Sequence, residues 1–223
     1  MTVWLARTSA VTAAVLHGRR DGLLPELDVL MEELRGSSGA DRTVLLVLRI
    51  NRAVILNGQE RFPEAGAEAS DVLREVTRLT HLTDVWNIEL TALACLAEAL
   101  CGQDRFGEAE AVARGNLARA EGNRATSLRC LLIQSLNGQG RYEEAVAESR
   151  QPTPSASRAG AGQLGLVTAQ ALRGLGRRGE AEITARRALA DCERSLHPAH
   201  PRNARIRGLL TDITAADPPT EDS

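Results

Sequence analysis

The chain predicts an all-α fold, a solenoid of about five helical hairpins with a capping helix. Three observations predict it. A decapeptide recurs: Leu56–Ala65, Leu100–Ala109, Leu136–Ala145 and Leu172–Ala181 share Leu, Gly, Arg, Glu and Ala at fixed offsets. Its glycine falls at positions 58, 102, 138 and 174, spacings of 44, 36 and 36 residues, the period of stacked two-helix units. The chain is 43% hydrophobic but only 2% aromatic, so packing rests on Leu, Ala, Val and Ile, and the commonest of these are strong helix formers. Three of the five aromatic residues, Phe62, Phe106 and Tyr142, sit at one position of the decapeptide; Arg178 replaces the ring in the fourth copy.

Each copy lies between two helical patterns. The first helices are expected at Asp41–Asn57, Leu82–Cys101, Asn123–Asn137 and Gly162–Arg173. The second helices are expected at Pro63–Leu79, Gly107–Glu121, Glu143–Arg150 and Gly179–Leu196, the third cut short by Pro152 and Pro154. An amino-terminal pair, Thr2–His17 and Gly22–Arg35, fits the register at Gly18 but has Pro25 where Ala is expected, as suits a terminal unit. The units are 2–36, 41–80, 82–121, 123–152 and 160–196, with a cap helix over 202–216 inside a single domain of 1–216 and a disordered tail over 217–223.

The decapeptide reads as corner chemistry. Leu closes the apolar face of the first helix, and the Gly two residues later is expected to take the left-handed conformation that ends it. Arg61, Arg105, Arg141 and Arg177 suit the negative end of the first helix, and Glu64, Glu108, Glu144 and Glu180 the positive end of the second. The Ala is expected against Ala53, Ala97, Ile133 or Ala169. The ring plugs the wedge toward the next unit, and its truncation should cost about 3–5 kcal/mol.

This layout resembles the tetratricopeptide repeat family, over roughly residue 41 to the end of the fourth pair. Glu60 and Asp104 depart from the family's turn glycine, which Gly140 and Gly176 keep; Arg49, Leu93, Arg129 and Gly165 stand in place of its early tryptophan. The stretch Ala185–Arg205, with a His-Pro turn over His197–Pro201, resembles the kinesin-light-chain-like branch found in high-GC bacteria. The resemblance implies a right-handed superhelix that holds a protein or peptide partner on a concave surface lined by the first helices. It also fixes which residues face inward. Fifteen residues before the ring come Val47, Thr91, Ser127 and Gln163; eight before it Val54, Glu98, Gln134 and Gln170; five before it Asn57, Cys101, Asn137 and Arg173. The polar members are the candidate partner-binding residues, because an amide both donates and accepts. A clamp for acidic chain ends needs several cations in these rows, and Arg173 alone qualifies.

Charge and composition narrow the function. A net charge of −2 gives no electrostatic footprint for nucleic acid or an anionic membrane. All 27 basic residues are Arg, which reads as high-GC codon usage and leaves no lysine for Schiff-base or P-loop chemistry. The segment Val3–Leu16 lacks a basic leader and carries Arg7, so it reads as an amphipathic helix, and a cytoplasmic protein is expected. Cys95, Cys101, Cys130 and Cys192 show no C-x-x-C pairing and are expected as buried thiols. Gly160-Ala-Gly-Gln-Leu-Gly165 matches a dinucleotide fingerprint but follows a Pro/Ser-rich loop instead of a strand. His197-x-x-His200 leaves a zinc site short of ligands, and His17 and His81 stand alone near helix ends. The Arg-rich pieces Arg186-Arg187 and Arg202–Arg207 read as solvated helix faces. No catalytic, cofactor-binding or metal-ligating residue is singled out. The expected function is a non-catalytic scaffold in regulation or assembly, with self-association left open. A peptide or metabolite sensor acting through another protein, or an accessory or enzymatic protein of a biosynthetic pathway, are the alternatives.

Overall fold

The structure is a computed structural model and describes residues 2–16, 22–35, 41–79, 85–152 and 160–215. The expected tail over 217–223, residue 216 of the cap, His17, Gly18, His81 and Pro154 lie outside the described residues, as do the outer ends of several expected units. Among the described residues the fold is all-helical. The elements are α1 (Thr2–Leu16), α2 (Leu23–Arg35), α3 (Asp41–Gly58), α4 (Phe62–Arg78), α5 (Val85–Gly102), α6 (Phe106–Leu117), α7 (Gly122–Gly138), α8 (Tyr142–Ser149), α9 (Gln163–Gly174), α10 (Arg178–Ser195) and α11 (Pro201–Thr214). The periodicity placed these within a few residues; α6 stops four residues short of the expected Glu121, and α8 is the short helix anticipated ahead of the proline pair.

From α2 to α11 every helix packs against its sequence neighbour. Adjacent pairs therefore outnumber the five hairpins expected, because each second helix packs on the following unit as well as on its own. The odd-numbered helices also touch in series, α1 on α3, α3 on α5, α5 on α7, α7 on α9 and α9 on α11. The core is spread along this series. Val11, Leu27 and Leu48 cluster at one end, Leu46, Val72 and Ala92 form the next cluster, and Leu132, Ala185 and Ile206 belong to the cluster furthest along.

All four corners share one hydrogen-bond pattern. The Arg amide reaches back to the Leu carbonyl five residues earlier at 2.9 Å in each copy (Arg61 to Leu56, Arg105 to Leu100, Arg141 to Leu136, Arg177 to Leu172). The residue before each Arg donates to the carbonyl three back, as Glu60 does to Asn57 at 3.1 Å. This is a Schellman termination, and its left-handed residue is the one before the Arg: Glu60 at φ 61°, Asp104 at φ 58°, Gly140 at φ 72° and Gly176 at φ 73°. The repeated glycine two residues earlier does something else. Gly102, Gly138 and Gly174 do not take positive φ; a Cβ on each would overlap the ring of Phe62, Phe106 and Tyr142 of the preceding unit. The glycine is there for close approach, so the expected left-handed role is corrected. The rings are half-buried, which lowers the cost of truncating one below the full-core range.

The corner Arg also differs from expectation. It occupies the N-cap of the second helix and forks onto the Glu three residues on, as Arg105 does to Glu108 with Nε–Oε1 2.7 Å and Nη2–Oε2 2.6 Å. Arg61, Arg141 and Arg177 repeat the fork on Glu64, Glu144 and Glu180. The side-chain hydrogen bond to Arg holds each of these carboxyls below the ordinary glutamate range. At the small-residue positions Ala65, Ala109, Ala145, Ala181, Ala53, Ala97, Ile133 and Ala169 are all fully buried.

The position nine residues before the repeated glycine shows how the units were fitted individually. Arg49 of α3 pairs with Glu68 of α4 at 2.5 Å, and Arg129 of α7 pairs with Glu148 of α8 at 3.0 Å. Both are the same pair of register positions. Leu93 and Val112 fill those positions in the unit between. In the last unit Gly165 takes the first of them, and a Cβ there would crowd the Ala188 side chain at 2.8 Å.

Candidate functional site

The carboxy-terminal half of α1, the middle of α3 and the amino ends of α5, α7, α9 and α11 line a cavity of about 530 Å³. Thr12 and Val15 of α1, then Val47, Ile50, Asn51 and Val54 of α3, form one side. Asn87, Ile88 and Thr91 of α5, and Asn123, Arg124, Thr126 and Ser127 of α7, continue it. Gly160, Gln163, His200 and Arg202 close it at the starts of α9 and α11. Every odd-numbered helix or its leading turn therefore contributes.

The row fifteen residues before the ring lies in this cavity: Val47, Thr91, Ser127 and Gln163 all line it. Of the other two rows only Val54 lines it. The row five before the ring joins each odd-numbered helix to the next. Asn57, buried, donates from Nδ2 to the Cys95 carbonyl of α5 at 2.9 Å, and Asn137 donates to the Val167 carbonyl of α9 at the same distance. Arg173 makes the corresponding link to Asp212 of α11 with an ion pair of 2.9 Å. Cys101 at this position is buried, and burial with help from the Glu98 charge pushes its thiol up to about 12. Asn57, Cys101 and Asn137 are thus structural at the depth where the sequence suggested partner contact.

The row eight before the ring behaves differently. Glu98 and Gln134 are half-buried and Gln170 is exposed. Gln134, Gln163 and Gln170 make no side-chain hydrogen bond among the described residues, whereas Asn57 and Asn137 do. Two shorter amides stitch helices together while three longer ones are left unengaged.

Two residues of the cavity escaped the sequence reading. Arg202, expected on a solvated face, reaches across to the Ala161 carbonyl at 2.8 Å, and burial lowers its pKa from the ordinary arginine value. Arg124 lies in the third position of α7, and its Nε is buried without an acceptor. Nothing in an Arg-rich helix pattern says which cation will be covered by a loop 41 residues away.

The glycine, histidine and cysteine motifs have packing roles. Gly162 takes φ 70° at the N-cap of α9, and Gly165 allows α9 to approach α10. His200 accepts from the Arg202 amide at Nδ1 (3.1 Å) and so caps α11, with Pro201 at its first position. His197 accepts from the Ala199 amide, and buried Asn203 donates to the His197 and Pro198 carbonyls, which fixes the His-Pro turn. All four cysteines are free and buried, and burial raises each thiol pKa, that of Cys130 to about 12. Such thiols are poor nucleophiles at neutral pH. No helix among the described residues is long and apolar enough to cross a membrane.

Comparisons with family models, with curated proteins and with solved structures found no match. The functional reading therefore rests on the corner geometry and on the layer of odd-numbered helices.

Proposed function

We propose that the protein is a non-catalytic binding scaffold, a right-handed superhelix of tetratricopeptide type that holds a peptide or protein along its odd-numbered helices. The observation that carries this reading is the division among the inner amides. The Nδ2 donors of Asn57 and Asn137 are engaged in helix-to-helix bonds, but Gln134 and Gln170 are left with donors and acceptors unengaged on a continuous helical layer. An unengaged amide on such a layer can bond a partner backbone from both ends. The buried, reduced cysteines suit a cytoplasmic setting.

The test is affinity capture from the native host with wild type and with a Gln134→Ala/Gln170→Ala variant. A partner retained by the wild type and lost by the variant, with helical circular dichroism unchanged, supports the scaffold. Retention unchanged by the double substitution removes it. Substituting Asn137 in this test is uninformative, because loss of its bond to α9 would loosen the fold as well. The second reading, a ligand sensor, is favoured by one specific observation, the cavity lined by the same odd-numbered helices.

A further inference from the structure

The cavity goes beyond partner binding, because its walls separate two chemistries. Val15 of α1, Val47, Ile50 and Val54 of α3 and Ile88 of α5 form an apolar side. Arg124 and Arg202 stand on the α7 and α11 side, and no Asp or Glu among the described residues lines the cavity. The carboxylate acting on Arg202 from α5 is that of Glu98, two helical turns beyond the lining residue Thr91.

The backbone adds to the asymmetry. Asn87, Arg124, Gln163 and Arg202 all fall within the first three residues of α5, α7, α9 and α11, so the amino ends of four helices converge here. The positive ends of their helix dipoles add partial positive charge on the side that already carries both guanidinium groups. Arg124 has no ion pair among the described residues, and its buried Nε lacks an acceptor. A buried donor without a partner is rare in native structures, and an anionic oxygen would satisfy it.

We propose that this cavity binds a small amphiphilic carboxylate, its tail against the valine and isoleucine side chains of α1, α3 and α5 and its head at Arg124. A volume of about 530 Å³ is within the range of small-ligand sites and exceeds what one amino-acid side chain fills. The opening toward several helices at once makes occupancy a tie between α1 and α11, the two ends of the odd-numbered series.

Calorimetric titration of the full chain with dodecanoate below its micellar concentration tests the proposal. Dodecyltrimethylammonium carries the same tail with the opposite charge, and acetate the same head without a tail. One saturable site for dodecanoate and none for the other two is the expected result. Arg124→Gln should weaken dodecanoate at least tenfold and Arg124→Lys less, because the charge stays. Ser127→Trp, which fills the cavity, should abolish binding with helical circular dichroism unchanged. Equal binding of the cationic amphiphile, or an affinity unchanged in both Arg124→Gln and Ser127→Trp, would overturn the proposal. Tighter binding of a short peptide with a carboxy-terminal leucine than of dodecanoate would also overturn it, by assigning the cavity to a chain end. Partner capture through Gln134 and Gln170 is read separately, so either account can fail alone.

Discussion

The corners and the amino ends of the odd-numbered helices are built from the same units, yet they are spent differently. At the corners, every repeated residue finds its partner inside the chain: Schellman bonds, Arg–Glu forks, and a ring seated on the glycine of the next unit. At the amino ends hardly any position repeats, and a buried guanidinium nitrogen and a cavity are left over, with the unengaged amides of Gln134 and Gln170 further along the same helices. Repetition here marks what the stack needs to propagate. The unrepeated residues are the ones left to meet something else.

The comparison can be broken first at the ring. Phe106→Ala should lower stability by about 2–3 kcal/mol, less than a fully buried ring because Phe106 is half-exposed. A urea midpoint shift corresponding to under about 0.5 kcal/mol would mean the ring is not part of the stacking contact. Gly138→Ala should cost about 1–3 kcal/mol by forcing a methyl group onto that ring. The two substitutions combined should cost less than their sum, since removing the ring opens the space the methyl needs. Strict additivity would place ring and glycine in separate roles.

A smaller effect sharpens the left-handed position. Asp104→Gly should stabilise by about 1 kcal/mol, because Asp104 holds φ 58° and glycine takes that conformation without strain. Gly140→Ala should destabilise by a similar amount, about 1 kcal/mol or more. Both are read from urea unfolding.

The smallest effect is expected at the forks, which are exposed. Arg105→Ala should shift the midpoint less than any substitution above. The sign with pH is fixed. Each fork holds its glutamate below the ordinary value, so its contribution is present at neutral pH and above the unfolded glutamate pKa. It is lost as pH falls through the lowered value. Wild-type stability should therefore decline more than that of a variant with Arg61, Arg105, Arg141 and Arg177 all replaced by Ala as pH drops below the ordinary glutamate range. Equal slopes would show that the forks contribute nothing.

Much of the fold was legible because the decapeptide sets the register and the register sets the helices. What it could not separate were two reasons for the same residue. Glycine serves both a positive φ and a close backbone approach, and the sequence alone assigned Gly102 and Gly138 to the wrong one. The same limit applied to the inner amides. Whether an amide bonds the next helix or faces outward depends on helix separation, which spacing along one helix does not contain. Asn57 and Asn137 are short enough to be caught by the neighbouring carbonyl, and Gln134 lies one turn away from that contact. The Thr91, Ser127 and Gln163 row did lead to the cavity. Arg202 did not, because its burial depends on the turn at Ala161 meeting the start of α11.

Site-specific photo-crosslinking tests the central claim most directly. A photoreactive residue placed at Gln134 or Gln170, on the odd-numbered helices, is compared with one at Ile183, exposed on α10. Adducts with a host protein from positions 134 and 170 but not from 183 are the predicted result. Adducts from 183 alone, or equally from all three, would contradict the assignment of binding to the unrepeated face.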